Sequence, residues 1–453
     1  MARRLHADIS TTMIDNSPNI PAQQGVRAPR GVEISCKGWQ QEAALRMLMN
    51  SFDHDVAEAR ESVMPSAALA KVAADWDEFG SIADALRQLP NDATLLVQRG
   101  KSASAFPANA ESARVLVVDS DAAASWLNIG PQLFVPECYE ILAAANRQYF
   151  NGDLAGKLIL PLGMSFAGAA LSLAVMMHGA AFLGIDANSE RIKRYVKTGY
   201  CDVMVNNLDE GLRILKNAVR KREPASVGLA REPAEMIQEL ARRGVVPDLL
   251  ADDAKPGESQ IAGADGVREL QKLGSILLRP AIQDAAMQET SDGATICFVA
   301  LSGEPSDIRR IDRLFLELFP EDEPFGRRLR TLQRRVRYQG LPARAVWLCS
   351  QESVRLGTAV NQLVAQGELT APIVIARLAP SFGTIHTGKQ VSAKAPPESE
   401  LDELLQTAGG ATWASIAYDA EDHAHVTAAA VVADGTGEAS ARIERVLSQN
   451  IPQ

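Results

Sequence analysis

Residues 156–183, GKLILPLGMSFAGAALSLAVMMHGAAFL, read as a buried strand, a glycine-containing turn, a helix and the start of a second strand that ends at Ile185-Asp186. This is the opening of a dinucleotide-binding βαβ unit. A working turn of this kind needs small residues so that backbone can approach a pyrophosphate. Gly163 and Gly168 meet that need, whereas Ser165 and bulky Phe166 sit between them. The helix opening near Gly168 points its N-terminal dipole toward an anion, and Phe166 crowds that approach. Asp186, at the end of the second strand, suits hydrogen bonding to an adenosine ribose. It equally suits a cap for the helix that follows Asn188. Spacing alone leaves a working and a lost nucleotide site both open.

Outward from this stretch, the chain divides into four parts. Residues 1–25 are polar and hold two prolines, which predicts a disordered tail. Residues 26–130 mix helical spacing at Trp39–Met49 and Ile82–Leu89 with short apolar strands at Thr94–Val97 and Arg114–Val118. Residues 131–302 alternate strands and helices, which predicts an α/β, Rossmann-like domain with a parallel, doubly wound sheet. Residues 303–453 return to a mixed pattern. A basic helix at Arg327–Arg337 precedes a strand at Ala345–Leu348 and a helix at Leu356–Ala365. Strands are expected at Pro372–Ile375 and Ala428–Val432, with a loop over residues 388–402. No internal repeat is evident.

A chain of 453 residues is too long for one ordinary core, so two or three domains are expected. The 46% hydrophobic and 23% charged content is that of a soluble globular protein. A net charge of -10 argues against nucleic-acid and anionic-membrane partners. Cys36, Cys138, Cys201, Cys297 and Cys349 are scattered without CxxC spacing, which fits reduced thiols in the cytoplasm. The N-terminal arginines precede no apolar run, so no secretory signal is read there. Leu171–Leu183 is too short and too broken to span a membrane.

Other candidate chemistry is sparse. His423 and His425 would share a face on a strand, yet two histidines without further ligands read as a polar loop. His178 reads as a satisfied core histidine, and Cys36 and Cys201 as packing residues. The arginines at 327, 328, 330, 334, 335 and 337 read as a solvated helix face, with an acidic partner or anionic ligand as the sharper alternative.

Several longer words resemble the urocanase family. They include RAPRGVEIS (27–35), EAALRMLMN (42–50), DATLLVQRGK (92–101), RQYFNGDLAGKL (147–158) and SERIKRYVKTGYCDVMVNNLDE (189–210). Beyond the alternating region come ELARRGVVPD (239–248), ALSGEPSDI (300–308), QGLPAR (339–344), QGELTAPIVIAR (366–377), GATW (410–413) and VVADGTGEASARIERVL (431–447). The resemblance runs in order from residue 27 to residue 447. It implies a Rossmann-like NAD domain inserted between N- and C-terminal regions that pack together, in a cytoplasmic homodimer. It also implies tightly held NAD acting as an electrophile while water adds to urocanate.

Carried over position by position, the resemblance is uneven. The family's Tyr-Gly-Gly loop falls on Ser66-Ala67-Ala68. Its glycine-rich NAD turn falls on Gly163 to Ala169, with Ser165, Phe166 and Ala169 replacing glycines. The ribose-binding acid falls on Asp186, and a Gly-Asn pair falls on Arg231-Glu232. A cofactor-lining stretch falls on Asp253 to Gly257, preceded by a retained Asp252. The catalytic cysteine, three positions after an Arg-Pro pair kept at Arg279-Pro280, falls on Gln283. A glycine-rich loop with paired histidines falls on Ala417 to Glu421. Segments between Asp121 and Ala124 and after Gly257 are shortened. Arg344 and Asn361 match family positions.

An amide neither titrates near neutral pH nor attacks as a thiolate does, so Gln283 cannot take the cysteine's role. The sequence therefore predicts a urocanase scaffold without ordinary NAD-dependent hydration, acting by binding or dimerisation. The alternatives are a divergent hydratase or lyase with Asp252, Gln283 and Arg344 around one small-molecule pocket, and an active urocanate hydratase.

Overall fold

The structure, a computed structural model, describes residues 26–56, 73, 75–98, 100–109, 112–119, 126–252, 265–278, 293–320, 322–378, 409–418 and 424–448. The expected tail at 1–25 and loop at 388–402 lie outside these residues. The N-terminal part holds α1 (Trp39–Ser51), α2 (Trp76–Gln88), β1 (Ala93–Gln98), β2 (Lys101–Pro107) and β3 (Val115–Asp119). The middle part runs α3 (Val135–Tyr149), β4 (Leu158–Pro161), α4 (Phe166–Met177), β5 (Ala181–Asp186), α5 (Ser189–Thr198), β6 (Val203–Val205), α6 (Leu208–Lys221) and β7 (Ala225–Ala230). It continues with α7 (Pro233–Arg242), β8 (Leu249–Ala251), α8 (Asp265–Lys272) and β9 (Ile276–Leu278). The rest is β10 (Gly293–Ala300), α9 (Pro305–Leu318), α10 (Glu323–Arg335), β11 (Ala343–Cys349), α11 (Ser350–Ala365), β12 (Ile373–Leu378), β13 (Trp413–Tyr418), β14 (Ala424–Ala433) and α12 (Gly437–Ser448).

Two sheets organise these elements. The six-stranded sheet has order β6-β7-β5-β4-β8-β9 and is parallel throughout. Helices α3 and α4 bury one of its faces, and α6, α7 and α8 bury the other. This is the doubly wound, Rossmann-like sheet that alternating strands and helices predict. Helix α4 is apolar nearly all round, as a helix sunk between a sheet and a second helix must be.

The eight-stranded sheet has order β11-β10-β12-β14-β13-β3-β1-β2. N-terminal strand β3 pairs in parallel with C-terminal strand β13, so the two flanking regions share one sheet. β10 is second from one edge, antiparallel to both β11 and β12. Side chains alternate strictly between the two faces. On β14, Ala430 and Val432 face the cluster under α1 and α2, while Ala429, Val431 and Ala433 face α11 and α12. With both faces covered, such strands read as continuous apolar runs.

Buried polar groups tie the pieces together. The fully buried Arg46 guanidinium meets Glu42 at 2.8 Å and donates to the carbonyls of Gly31 at 2.9 Å and Leu301 at 2.6 Å. Asn50 donates to the Asn128 carbonyl at 2.7 Å and accepts from the Leu341 N–H at 2.7 Å. Gly340, at φ +66, lets the chain pass this close, because a Cβ there would lie 2.2 Å from Asn50 Oδ1.

The two sheets' bodies also touch closely at the end of α5. Gly199 caps that helix at φ +90, and a Cβ there would sit 1.9 Å from the Arg335 carbonyl oxygen. Beside it the Arg337 N–H donates to Thr198 O at 3.0 Å. Gly244, at φ +64, has open space around its missing Cβ. Gly199→Ala is therefore expected to destabilise by about 3 kcal/mol or more, against about 1 kcal/mol for Gly244→Ala, which bears only the backbone strain. Urea unfolding of the two variants measures the difference.

Candidate functional site

In open parallel sheets, ligands bind outside the carboxyl ends of the strands where strand order reverses. Here the chain steps from β4 to β5 on one side and to β8 on the other, so the crevice opens above β4 and β8. The two strand ends are bonded there, Leu162 N–H to Ala251 O at 2.8 Å. The turn after β4 reads Gly163-Met164-Ser165-Phe166-Ala167-Gly168. In a dinucleotide turn the first glycine makes the bend, the second admits the pyrophosphate, and the third packs the helix close. The first and third are present as Gly163 and Gly168. The third serves its packing role, since a Cβ on Gly168 would lie 2.4 Å from the Gly163 carbonyl oxygen.

The ligand-admitting position holds Ser165. Its hydroxyl accepts from the Gly168 N–H at 3.3 Å and its carbonyl from the Ala169 N–H at 2.9 Å. Ser165 is thus the N-cap of α4, and its hydroxyl satisfies one donor, the Gly168 N–H, that an anion would otherwise meet. Phe166 is half-buried and packs on the cluster formed by α3 and α4. Met164 is buried, its sulfur lying over Gly184 of β5.

Asp186 sits at the tip of β5, buried. Oδ1 accepts from the Asn188 N–H at 2.7 Å, and Oδ2 meets Arg191 Nη1 at 2.8 Å. An ionised carboxylate has about four acceptor sites and these contacts use two; the expected cap role falls to the next residue but one. Asn188, not Asp186, caps α5, accepting from Glu190 and Arg191 N–H. Arg191 escaped notice in the sequence; its position on the first turn of α5, five residues beyond the acid, was the available signal. Arg231 leaves β7 beside Asp186, its N–H bonded to Asp186 O at 3.1 Å. The cleft thus keeps a carboxylate at the end of β5. It lacks the glycine that backbone contact with the pyrophosphate requires.

The other candidates are dispersed. Asp252 is buried at the end of β8, its N–H on Leu278 O at 3.2 Å. Gln283, Ser66 to Lys71, Asp253 to Gly257, Arg279-Pro280 and His423 lie outside the described residues. Arg344 lies in the other sheet, 1% exposed against a fully buried Asp312. Its Nε and Nη2 grip both Asp312 oxygens at 2.8 Å, and Nη1 donates to Gln132 Oε1 at 3.0 Å. Tyr200, whose hydroxyl meets the Gln132 backbone, completes this junction between the sheets, and its burial drives its pKa up. Asn361 bonds Thr436 O, Ser440 Oγ and the Gly435 N–H, locking α11 to the turn before α12. Arg344 and Asn361 are thus spent on scaffold.

Among the α10 arginines, Arg328 pairs with Glu140 at 2.6 Å and lies over the Tyr139 ring, and Arg335 pairs with Asp202. Arg327, Arg334 and Arg337 are exposed. A shallow apolar groove lined by Tyr139, Met177, Phe325, Leu332 and Trp347 lies where α4 ends, at the opposite edge of the sheet from the nucleotide turn. Asp53, His54 and Asp55 cluster within 4.8 Å, in a turn whose Asp55 carbonyl accepts from Gln339 at 2.8 Å and from Arg194. Cys36, Cys138, Cys201 and Cys297 are buried, and burial pushes the Cys36 thiol up to about 12. Burial raises the Cys201 and Cys297 thiols as well, so none of Cys36, Cys201 and Cys297 is a ready thiolate.

Arg344→Met strands a buried carboxylate and is expected to cost about 3–5 kcal/mol, whereas adding Asp312→Leu restores most of that loss; a double-mutant cycle in urea reads both. His178 stacks on Tyr139 with centroids 4.1 Å apart and donates to its carbonyl at 3.1 Å. Burial, with Arg328's charge, lowers its pKa from 6.5 to about 4. The unfolded imidazole gains its proton near 6.5 and the folded one only near 4, so stability falls as pH drops through that window. Between about pH 7 and about pH 5, wild type should lose on the order of 2 kcal/mol more than His178→Gln.

Residues 26–133 match the urocanase N-terminal domain, residues 130–257 the urocanase Rossmann-like domain, and residues 292–452 the urocanase C-terminal domain. The three matches follow the order of the two sheets' contributions, with the Rossmann-like part between two flanks that form one sheet. No described helix is long and apolar enough to cross a membrane. The chain belongs to the urocanase family.

Proposed function

We propose that this protein keeps the urocanase fold without the family's NAD-dependent hydration of urocanate, and acts by binding, as a cytoplasmic homodimer. The observation that carries this reading is the split between retained and replaced residues. The retained words hold Arg46, Asn50, Gly199, Gly340 and Arg344, and Asn361 matches a family position; their side chains or close approaches hold the scaffold together. The replaced positions are those that would touch NAD or urocanate, with Ser165 in the turn and Gln283 at the cysteine position. An amide at the latter removes both nucleophile and proton carrier.

A divergent hydratase built on Asp252, Gln283 and Arg344 gains no support from the geometry, because Arg344 is fully engaged with Asp312 and Gln132. Descent from a lyase of histidine catabolism explains the scaffold and does not require the activity. Purified full chain, given urocanate with and without added NAD, is expected to leave urocanate's ultraviolet absorbance unchanged. NAD-dependent decay of that absorbance, above a no-protein control, would show the proposal to be wrong.

A further inference from the structure

We infer that Ser165, with Phe166 beside it, is the specificity determinant that shuts the pyrophosphate end of the cleft while the ribose end remains built. This rests on the reading of the chain as one without NAD-dependent hydration, and gives that reading a local physical cause.

The two ends of the cleft have diverged unequally. At the ribose end, Asp186 stands at the tip of β5 with Arg191 at 2.8 Å holding its orientation. Two of its acceptor sites are used, and two remain for a vicinal diol. At the pyrophosphate end, the glycines that survive are those the protein needs for itself. Gly168 must lack a Cβ because the Gly163 carbonyl occupies that space at 2.4 Å. The glycine a ligand needs is the one replaced. Ser165 adds a Cβ and hydroxyl at the point of backbone approach, and the hydroxyl consumes the Gly168 N–H that an anion would use.

Magnitude separates the two effects. A serine cap alone offsets ligand binding by on the order of tenfold, which a tightly held dinucleotide could overcome. Exclusion therefore depends on volume, from the Ser165 Cβ and from Phe166, whose half-buried ring packs on the α3–α4 cluster. Thinning of the turn at these two positions should reopen it without touching the ribose end.

The test uses ADP-ribose and NAD on the full chain, read by calorimetry and ligand-induced thermal shift. ADP-ribose carries the adenosine ribose and the pyrophosphate but no nicotinamide, so with the ribose end unchanged a difference between wild type and variant reports on the pyrophosphate end. Ser165→Gly/Phe166→Gly is expected to bind ADP-ribose at least about tenfold more tightly than wild type. Ser165→Gly alone, which keeps the core ring and costs little as a cap, serves if the double variant does not fold, with a smaller gain expected in the same direction. A folded variant that gains nothing, while wild type also fails to bind NAD, overturns this inference and leaves the functional reading standing. Wild type that already binds NAD as well as the variants overturns both.

Discussion

The parallel pairing of β3 with β13 is the constraint on which this architecture depends. It joins strands nearly three hundred residues apart in the chain (Val115 with Trp413) into one sheet. Once that pair forms, the chain between must leave β3 and come back to the same sheet. The Rossmann-like body does so, leaving after Gln132 and returning to β10, which pairs between β11 and β12. Parallel pairing between distant segments carries a high loop-closure cost. The buried contacts of Arg46 and Asn50 lie where N- and C-terminal segments meet, and they help to offset it.

Polar groups link the two bodies beside the apolar packing of Leu332 and Val336 on the α3–α4 cluster. Arg344, Asp312, Gln132 and Tyr200 draw on β11, α9, the segment before α3 and the segment after α5. A buried ion pair contributes little net stability compared with apolar packing, and its value here is directional, because both forks of the guanidinium must meet both carboxylate oxygens. Gly199 adds a steric requirement to the same interface. Such contacts preserve the sequence words around them whatever the cleft does. A family scaffold can thus survive changes in its site.

Most of the fold was legible because its strands are buried on both faces and its helices are strongly periodic. Leu208–Lys221 and Ser189–Thr198 illustrate this, each with an asparagine cap and an apolar stripe. Strand β2, Lys-Ser-Ala-Ser-Ala-Phe-Pro, was not legible, since an exposed edge strand of small residues carries no hydrophobic alternation. The fate of Arg344 was equally hidden. Its partners Asp312 and Gln132 lie 32 and 212 residues away, and no local pattern connects them. At the cleft, the replaced glycine could be read from spacing, but the Asp186–Arg191 pair needed the helix geometry that brings residues five apart to one carboxylate. The sequence pointed to damage at the turn; the geometry divides it into a kept packing role and a lost ligand role.

The central claim is that the urocanase fold persists here without its bound cofactor. Native mass spectrometry of the full chain, purified without added nucleotide, tests it most directly. The account predicts a mass equal to protein alone, as monomer or dimer, with no NAD released on denaturation. One NAD released per chain would contradict it.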